Sequence, residues 1–208
     1  LAMSRHILEK ALVLLSVFVC PVAVAGPAEA LPTTTIHCGK HYDSVDWQAP
    51  SLADTSHVDT LFFAVDVGGD DIRSGTGVSA TVTFRTLFSR VDTRRSAVLT
   101  SDPHPNNSHF SGSVSLGSRS DDIESLVSPM DIFRVELVSA SGQPDIFSTP
   151  DNWNMDSLSV QYTTFEDSRT FHPLVQGSGS PWLHRFKADC DNDSGEGGPL
   201  WTVVNPTV

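Results

Sequence analysis

The stretch Leu61–Phe84, LFFAVDVGGDDIRSGTGVSATVTF, decides the fold. Leu61, Phe63, Val65 and Val67 share one side of a period-two pattern and Phe62, Ala64 and Asp66 the other, which is the mark of a strand. Phe62, on the wetter side, predicts some cover on that face as well. After the loop GGDDIRSGTG, Val78, Ala80, Val82 and Phe84 alternate with Ser79, Thr81, Thr83 and Arg85, a strand with one apolar and one wet face. The loop itself offers four glycines suited to positive φ and the adjacent carboxylates Asp70 and Asp71.

The same alternation recurs along the chain. Gly112, Val114 and Leu116 alternate with Ser111, Ser113 and Ser115, a strand whose outer face is all serine. Phe133, Val135 and Leu137 alternate with Arg134 and Glu136, and Leu158, Val160 and Tyr162 with Ser157, Ser159 and Gln161. Leu200–Val204 reads as a last strand, and Gly177–Pro181 as a linker ahead of Trp182 and Phe186. Trp153 enters the 158–162 strand among oxygen-bearing side chains; the usual burial of indoles favours a core plug over an exposed anchor. Many short strands with frequent turns predict an all-β fold, an antiparallel β-sandwich of about eight strands.

Composition agrees with that class. Only 18% of the 208 residues are charged, with 13 Pro and 14 Gly, and the length suits one domain. A net charge of -12 excludes a nucleic-acid partner, because phosphate binding needs lysine and arginine to displace counterions. Arg90, Arg94 and Arg95 form the one basic cluster beyond the N-terminal segment.

Arg5, His6 and Lys10 precede the apolar run Ala11–Val19, and Ala23 and Ala25 offer a cleavage site before Gly26. Residues 1–25 therefore read as a signal peptide and the product as secreted, extracellular or periplasmic. The run is shorter than the roughly 20 apolar residues of a span, so no transmembrane segment is expected in the mature chain. Residues 26–55 read as an extended lead-in and 56–208 as the sandwich with a C-terminal extension. Cleavage leaves Cys38 and Cys190, an even pair that reads as a disulfide in an oxidising compartment. By the chain-entropy model such a staple is worth on the order of 4 to 5 kcal/mol.

Oxygen-rich loops raise calcium, a hard cation that takes six to eight oxygen ligands. Asp70, Asp71, Asp121, Asp122, Asp151 and Asn152 are the candidate ligands, in loops that a sandwich gathers at an end. Acidic loops that merely keep a secreted protein soluble are the alternative. Asp189, Asp191 and Asp193 imitate the start of an EF-hand, but Gly195 is displaced and Leu200 stands where the bidentate glutamate belongs. His37 and His41 around Cys38 lack the further ligands of a zinc site.

Gly75-Thr76, the following Val78–Phe84 strand and Asn152-Trp153-x-Met155-Asp156-x-Leu158-x-Val160 together resemble the PLAT/LH2 domain, particularly its bacterial secreted relatives. The likeness spans roughly residues 58–163. It implies an eight-stranded antiparallel sandwich that contacts lipid, membrane or protein, with calcium in some members. Those calcium-binding members carry Asp after the Gly-Thr pair, where Gly77 stands here.

The expectation is a non-catalytic binding module for a lipid, membrane or protein partner, acting through its end loops with calcium as a candidate cofactor. A carbohydrate-binding module is the alternative, marked by an aromatic platform flanked by amides. A hydrolase with a non-local active site is the other, although no G-x-S-x-G, H-E-x-x-H or P-loop is present in the sequence.

Overall fold

A computed structural model describes residues 43–48, 56–86, 89, 91–117, 126–140, 151–187 and 200–206. Ten strands are described: β1 (Asp43–Trp47), β2 (Val58–Val67), β3 (Gly77–Phe84), β4 (Thr93–Thr100), β5 (His109–Ser115), β6 (Ile132–Ala140), β7 (Trp153–Thr164), β8 (His172–Gly179), β9 (His184–Phe186) and β10 (Leu200–Val204). They form two antiparallel sheets. The larger runs β1-β8-β7-β2-β5, with β9 continuing along the edge of β7 beyond β8, and the smaller runs β10-β6-β3-β4. No helix among the described residues is long and apolar enough to cross a membrane.

The alternation expected for Leu61–Phe84 places its apolar rows inside. Leu61, Phe63, Val65 and Val67 of β2 and Val78, Ala80, Val82 and Phe84 of β3 are buried between the sheets, with Val114, Leu137, Leu158 and Val160. Trp153 is fully buried: its ring stacks on Phe186 with centroids 4.4 Å apart, and its indole N–H donates to Ser139 Oγ at 3.0 Å. It is a core plug.

Two of the register shifts decide which side chains face inward. In β6, Thr83 pairs with Arg134 but Phe84 with Ile132, so Phe133 occupies a bulge. Ile132 is fully buried, whereas Phe133 is half-buried with the Arg85 guanidinium 5.1 Å from its ring centroid. The expected inward row Phe133, Val135, Leu137 is corrected to Ile132, Val135, Leu137. In β7 the shift lies between Met155 and Ser157, which lets Trp153 and Met155 share the inner face with Leu158 and Val160 despite opposite parity.

The edges also depart from expectation. β1 comes from the lead-in, pairs with β8 and buries Val45 and Trp47. Gly177–Gly179 belong to β8 and pair with β1, so this stretch is strand and not linker. The edge strands β4 and β5 meet where the two sheets join: a Cβ on Gly112 would lie 2.8 Å from the Leu99 Cα. The predicted signal peptide, Cys38, Cys190 and the Asp189–Asp193 stretch lie outside the described residues.

Candidate functional site

The candidate calcium ligands Asp70, Asp71, Asp151 and Asn152 lie in loops at the end of the sandwich where β2 runs out and β7 begins. The loop between β2 and β3 is closed by a turn in which Thr76 N–H donates to Arg73 O at 3.2 Å, with Gly75 at φ 91°. Gly75 is the one glycine of this loop with positive φ. Gly68 serves contact instead: an added Cβ would fall 2.1 Å from Asp156 Oδ1. Asp151, buried at the mouth of β7, ties the turn down, accepting from Arg73 N–H at 2.8 Å and Thr76 Oγ1 at 2.7 Å through Oδ2. Ile72 is buried beneath and bridges to His104 of the loop between β4 and β5.

The carboxylates here face arginines. Arg73 Nε stands 3.6 Å from Asp71 Oδ1 and 3.7 Å from Asp151 Oδ1. Arg185 reaches Asp70 Oδ2 at 2.9 Å and Asn154 Oδ1 at 2.7 Å, and lies over the Trp182 ring at 5.6 Å. Asn152 is half-buried beside Asp151. Asp70, Asp71, Asp151 and Asn152 are thus gathered at one end of the sandwich, where two guanidinium groups offset two of the three carboxylate charges. Asp121 and Asp122 lie outside the described residues. Among the described residues no group of three or more His, Cys, Asp or Glu is placed to hold a metal ion.

The bulge in β7 leaves one strained charge. Asp156 Oδ1 is buried without a hydrogen-bond partner, and burial, with a smaller contribution from Asp66, pushes this carboxyl above the ordinary carboxylate range. A raised folded-state pKa means that the native state holds the proton more tightly than the unfolded chain. Stability then falls as pH rises from the unfolded value to the folded one. Asp156→Asn, nearly the same shape without the charge, is expected to melt above the parent at pH 7. The gap should close on acidification below the unfolded value of about 3.9. Melts of both proteins across that range check it; a gap that widens on acidification would contradict the assignment.

The second candidate surface is the outer face of the six-stranded sheet. Antiparallel register lines up Ser111 of β5, Ala64 of β2, Ser159 of β7, Gln176 of β8 and Asp46 of β1 in one row across five strands. Directly opposed residues lie about 4.5–5.5 Å apart on one face. The row runs roughly 19 Å, four inter-strand spacings of about 4.8 Å. Its small members make it a trough. One bank carries Ser113, Phe62 and Gln161, and the other His109, Asp66, Ser157 and Ser178. Phe171, 50% exposed, packs edge-on against Phe62 with centroids 5.0 Å apart. Two depressions of about 270 and 350 Å³ adjoin at Ser159 and follow this trough. No lysine or arginine belongs to these three rows.

Sequence reasoning marked Ser111, Ser113, Ser157, Ser159 and Gln161 as the wet sides of their strands but not as a site. The signal was the run of small and amide side chains on the outer face; what it lacked was the register that joins the strands.

No family model matches the chain, and no curated protein matches it. Two solved crystal structures of engineered forms of a lipoxygenase are similar to it, each at 12% identity and a TM-score of 0.33, over 58% of this chain. The aligned region spans 16% of the lipoxygenase chain.

Proposed function

We propose that this chain is a non-catalytic binding module, that its working surface is the outer face of the six-stranded sheet, and that its ligand is an extended, uncharged polysaccharide. The observation that carries this reading is the Ser111–Ala64–Ser159–Gln176–Asp46 trough. Sugar rings need three things from a surface: an apolar plate for their C–H faces, acceptors and donors for their hydroxyls, and room to lie flat. Phe62 with Phe171 supplies the plate, Gln161, Gln176 and the serines both donate and accept, and Asp46 and Asp66 accept. The absence of cations from the three rows disfavours sulfated or uronic chains.

The PLAT/LH2 likeness belongs to the same proposal. Its support is the Thr76–Asp151 hydrogen bond, which links the Gly75-Thr76 turn to the mouth of the Trp153–Val160 strand. A lipid or protein partner at the end loops is the second reading, favoured by the half-exposed Phe171 and by Val91, 72% exposed. Calcium at the other end, where the loop between β2 and β3 lies, would have to compete with Arg73 and Arg185 for Asp70, Asp71 and Asp151.

Co-sedimentation with insoluble neutral polysaccharides and with liposomes, each with calcium and with EGTA, tests these readings together. Retention on polysaccharide, unchanged by EGTA and reduced about tenfold or more by Ser159→Phe, is expected, since a filled trough excludes the chain from its hydrogen-bonding groups. Pelleting with liposomes alone would overturn the proposal in favour of the end loops, and an EGTA-sensitive rise in melting temperature would establish calcium.

A further inference from the structure

We infer that a second site lies between the edge strands β4 and β5, and that it takes a small amphiphilic carboxylate through Arg95. Arg94 and Arg95 are neighbours in sequence but diverge in the fold. Arg94 is on the outer face of the smaller sheet and binds the buried Glu136 there, through Oε2 at 2.6 Å. Arg95 pairs in register with Val82, which is fully buried, so its side chain belongs to the inward-facing row that continues through Ala97, opposite Ala80. A cation in the row that elsewhere builds the core breaks the pattern of the strand, and such breaks concentrate at functional positions.

The surroundings suit a ligand with two ends. β4 and β5 are held close where Gly112 meets Leu99; four residues further along each strand a cleft of about 280 Å³ opens. Phe84 and Leu116, 1% and 4% exposed, form its apolar floor, and its polar rim is Thr86, Thr93 and Ser115 with Arg95. Among the described residues no carboxylate pairs with Arg95, although the chain carries 25 acidic residues against 13 basic ones. The volume falls just under the roughly 300–1,000 Å³ of drug-sized pockets, which selects a small molecule. A planar guanidinium binds a carboxylate through two parallel hydrogen bonds, while Phe84 and Leu116 take the hydrocarbon part. An inward charge on an edge strand also discourages pairing with another chain. That role requires the charge alone and gives no selectivity among ligands, so ligand choice separates the two.

Octanoate titrated into the full chain and followed by amide chemical shifts is the test, with octanol and octylammonium as matched probes. Saturable shifts at Thr93, Arg95, Leu116 and Gly117 with octanoate, at least about tenfold weaker with octanol, are expected. Arg95→Met keeps the stem and removes the charge. It is expected to abolish the difference between octanoate and octanol while leaving the melting temperature unchanged, since Arg95 is exposed and unpaired among the described residues. Equal binding of octanoate and octanol by the parent protein, or octanoate shifts confined to other residues, would overturn the inference. Because the parent protein alone supplies that comparison, a variant that fails to fold does not remove it. The polysaccharide trough lies on the opposite side of the larger sheet, so either site can fail without the other.

Discussion

Trp153→Ala is expected to lower the melting temperature by roughly 6–20 °C, from a loss of about 3–5 kcal/mol when a large buried aromatic is removed and about 2–4 °C per kcal/mol in a chain of this size. The loss has three physical parts. The indole leaves a void against Phe186, stacked at 4.4 Å, and Phe110, edge-on at 6.1 Å. Its N–H no longer satisfies Ser139 Oγ, a buried hydroxyl. It also anchors the Trp153–Phe186 pair of the β7–β9 ladder, so β9 loses its main inward contact. Trp153→Phe should recover most of the packing but not the hydrogen bond, and adding Ser139→Ala to it should restore part of what remains. Against a total stability of some 5–15 kcal/mol for a typical domain, the alanine variant sits near the folding threshold. Near-UV circular dichroism through a thermal melt reads all four proteins; a shift below 2 °C for Trp153→Ala would contradict the packing described.

Gly112→Val is the second large effect, and its cause is backbone and not side-chain volume. The first added atom would lie 2.8 Å from Leu99 Cα and 2.9 Å from Leu99 Cδ2. A side-chain tip can swing away, but Cα cannot move without parting β4 from β5. Overpacking at a rigid contact costs typically about 1–3 kcal/mol for an added carbon, and valine adds three. Gly77 is the internal control: a Cβ there meets only Thr100 O at 3.9 Å, so Gly77→Ala is expected to be near neutral. Chemical denaturation of the pair checks this. Equal midpoints for Gly112→Val and Gly77→Ala would show that the edge strands are not pinned at Gly112.

How far the sequence revealed this architecture depends on whether the information was local. The alternations of β2, β3, β5 and β7 were legible because a half-buried strand writes its two faces directly into neighbouring residues. The bulges at Phe133 and Asp156 were not, since a one-residue slip is fixed by pairing with a partner far along the chain. The acidic loop divides in the same way. Arg73 stands two residues from Asp71, and its charge was available to reading; Arg185, 115 residues from Asp70, was not. Arg94 and Arg95 looked like one basic patch, although a period of two already required them to face opposite ways. The trough was invisible for a stronger reason. Its five positions come from five strands, and no one of them is remarkable until register places Ser111, Ala64, Ser159, Gln176 and Asp46 side by side.

Amide chemical-shift mapping with a soluble neutral oligosaccharide tests the central claim most directly, because it reports which surface the ligand touches. The trough predicts shifts at Ala64, Ser111, Ser159, Gln161 and Gln176, with the loop residues 68–76 unmoved. Shifts concentrated in that loop, or none on the sheet face at saturating ligand, would contradict it.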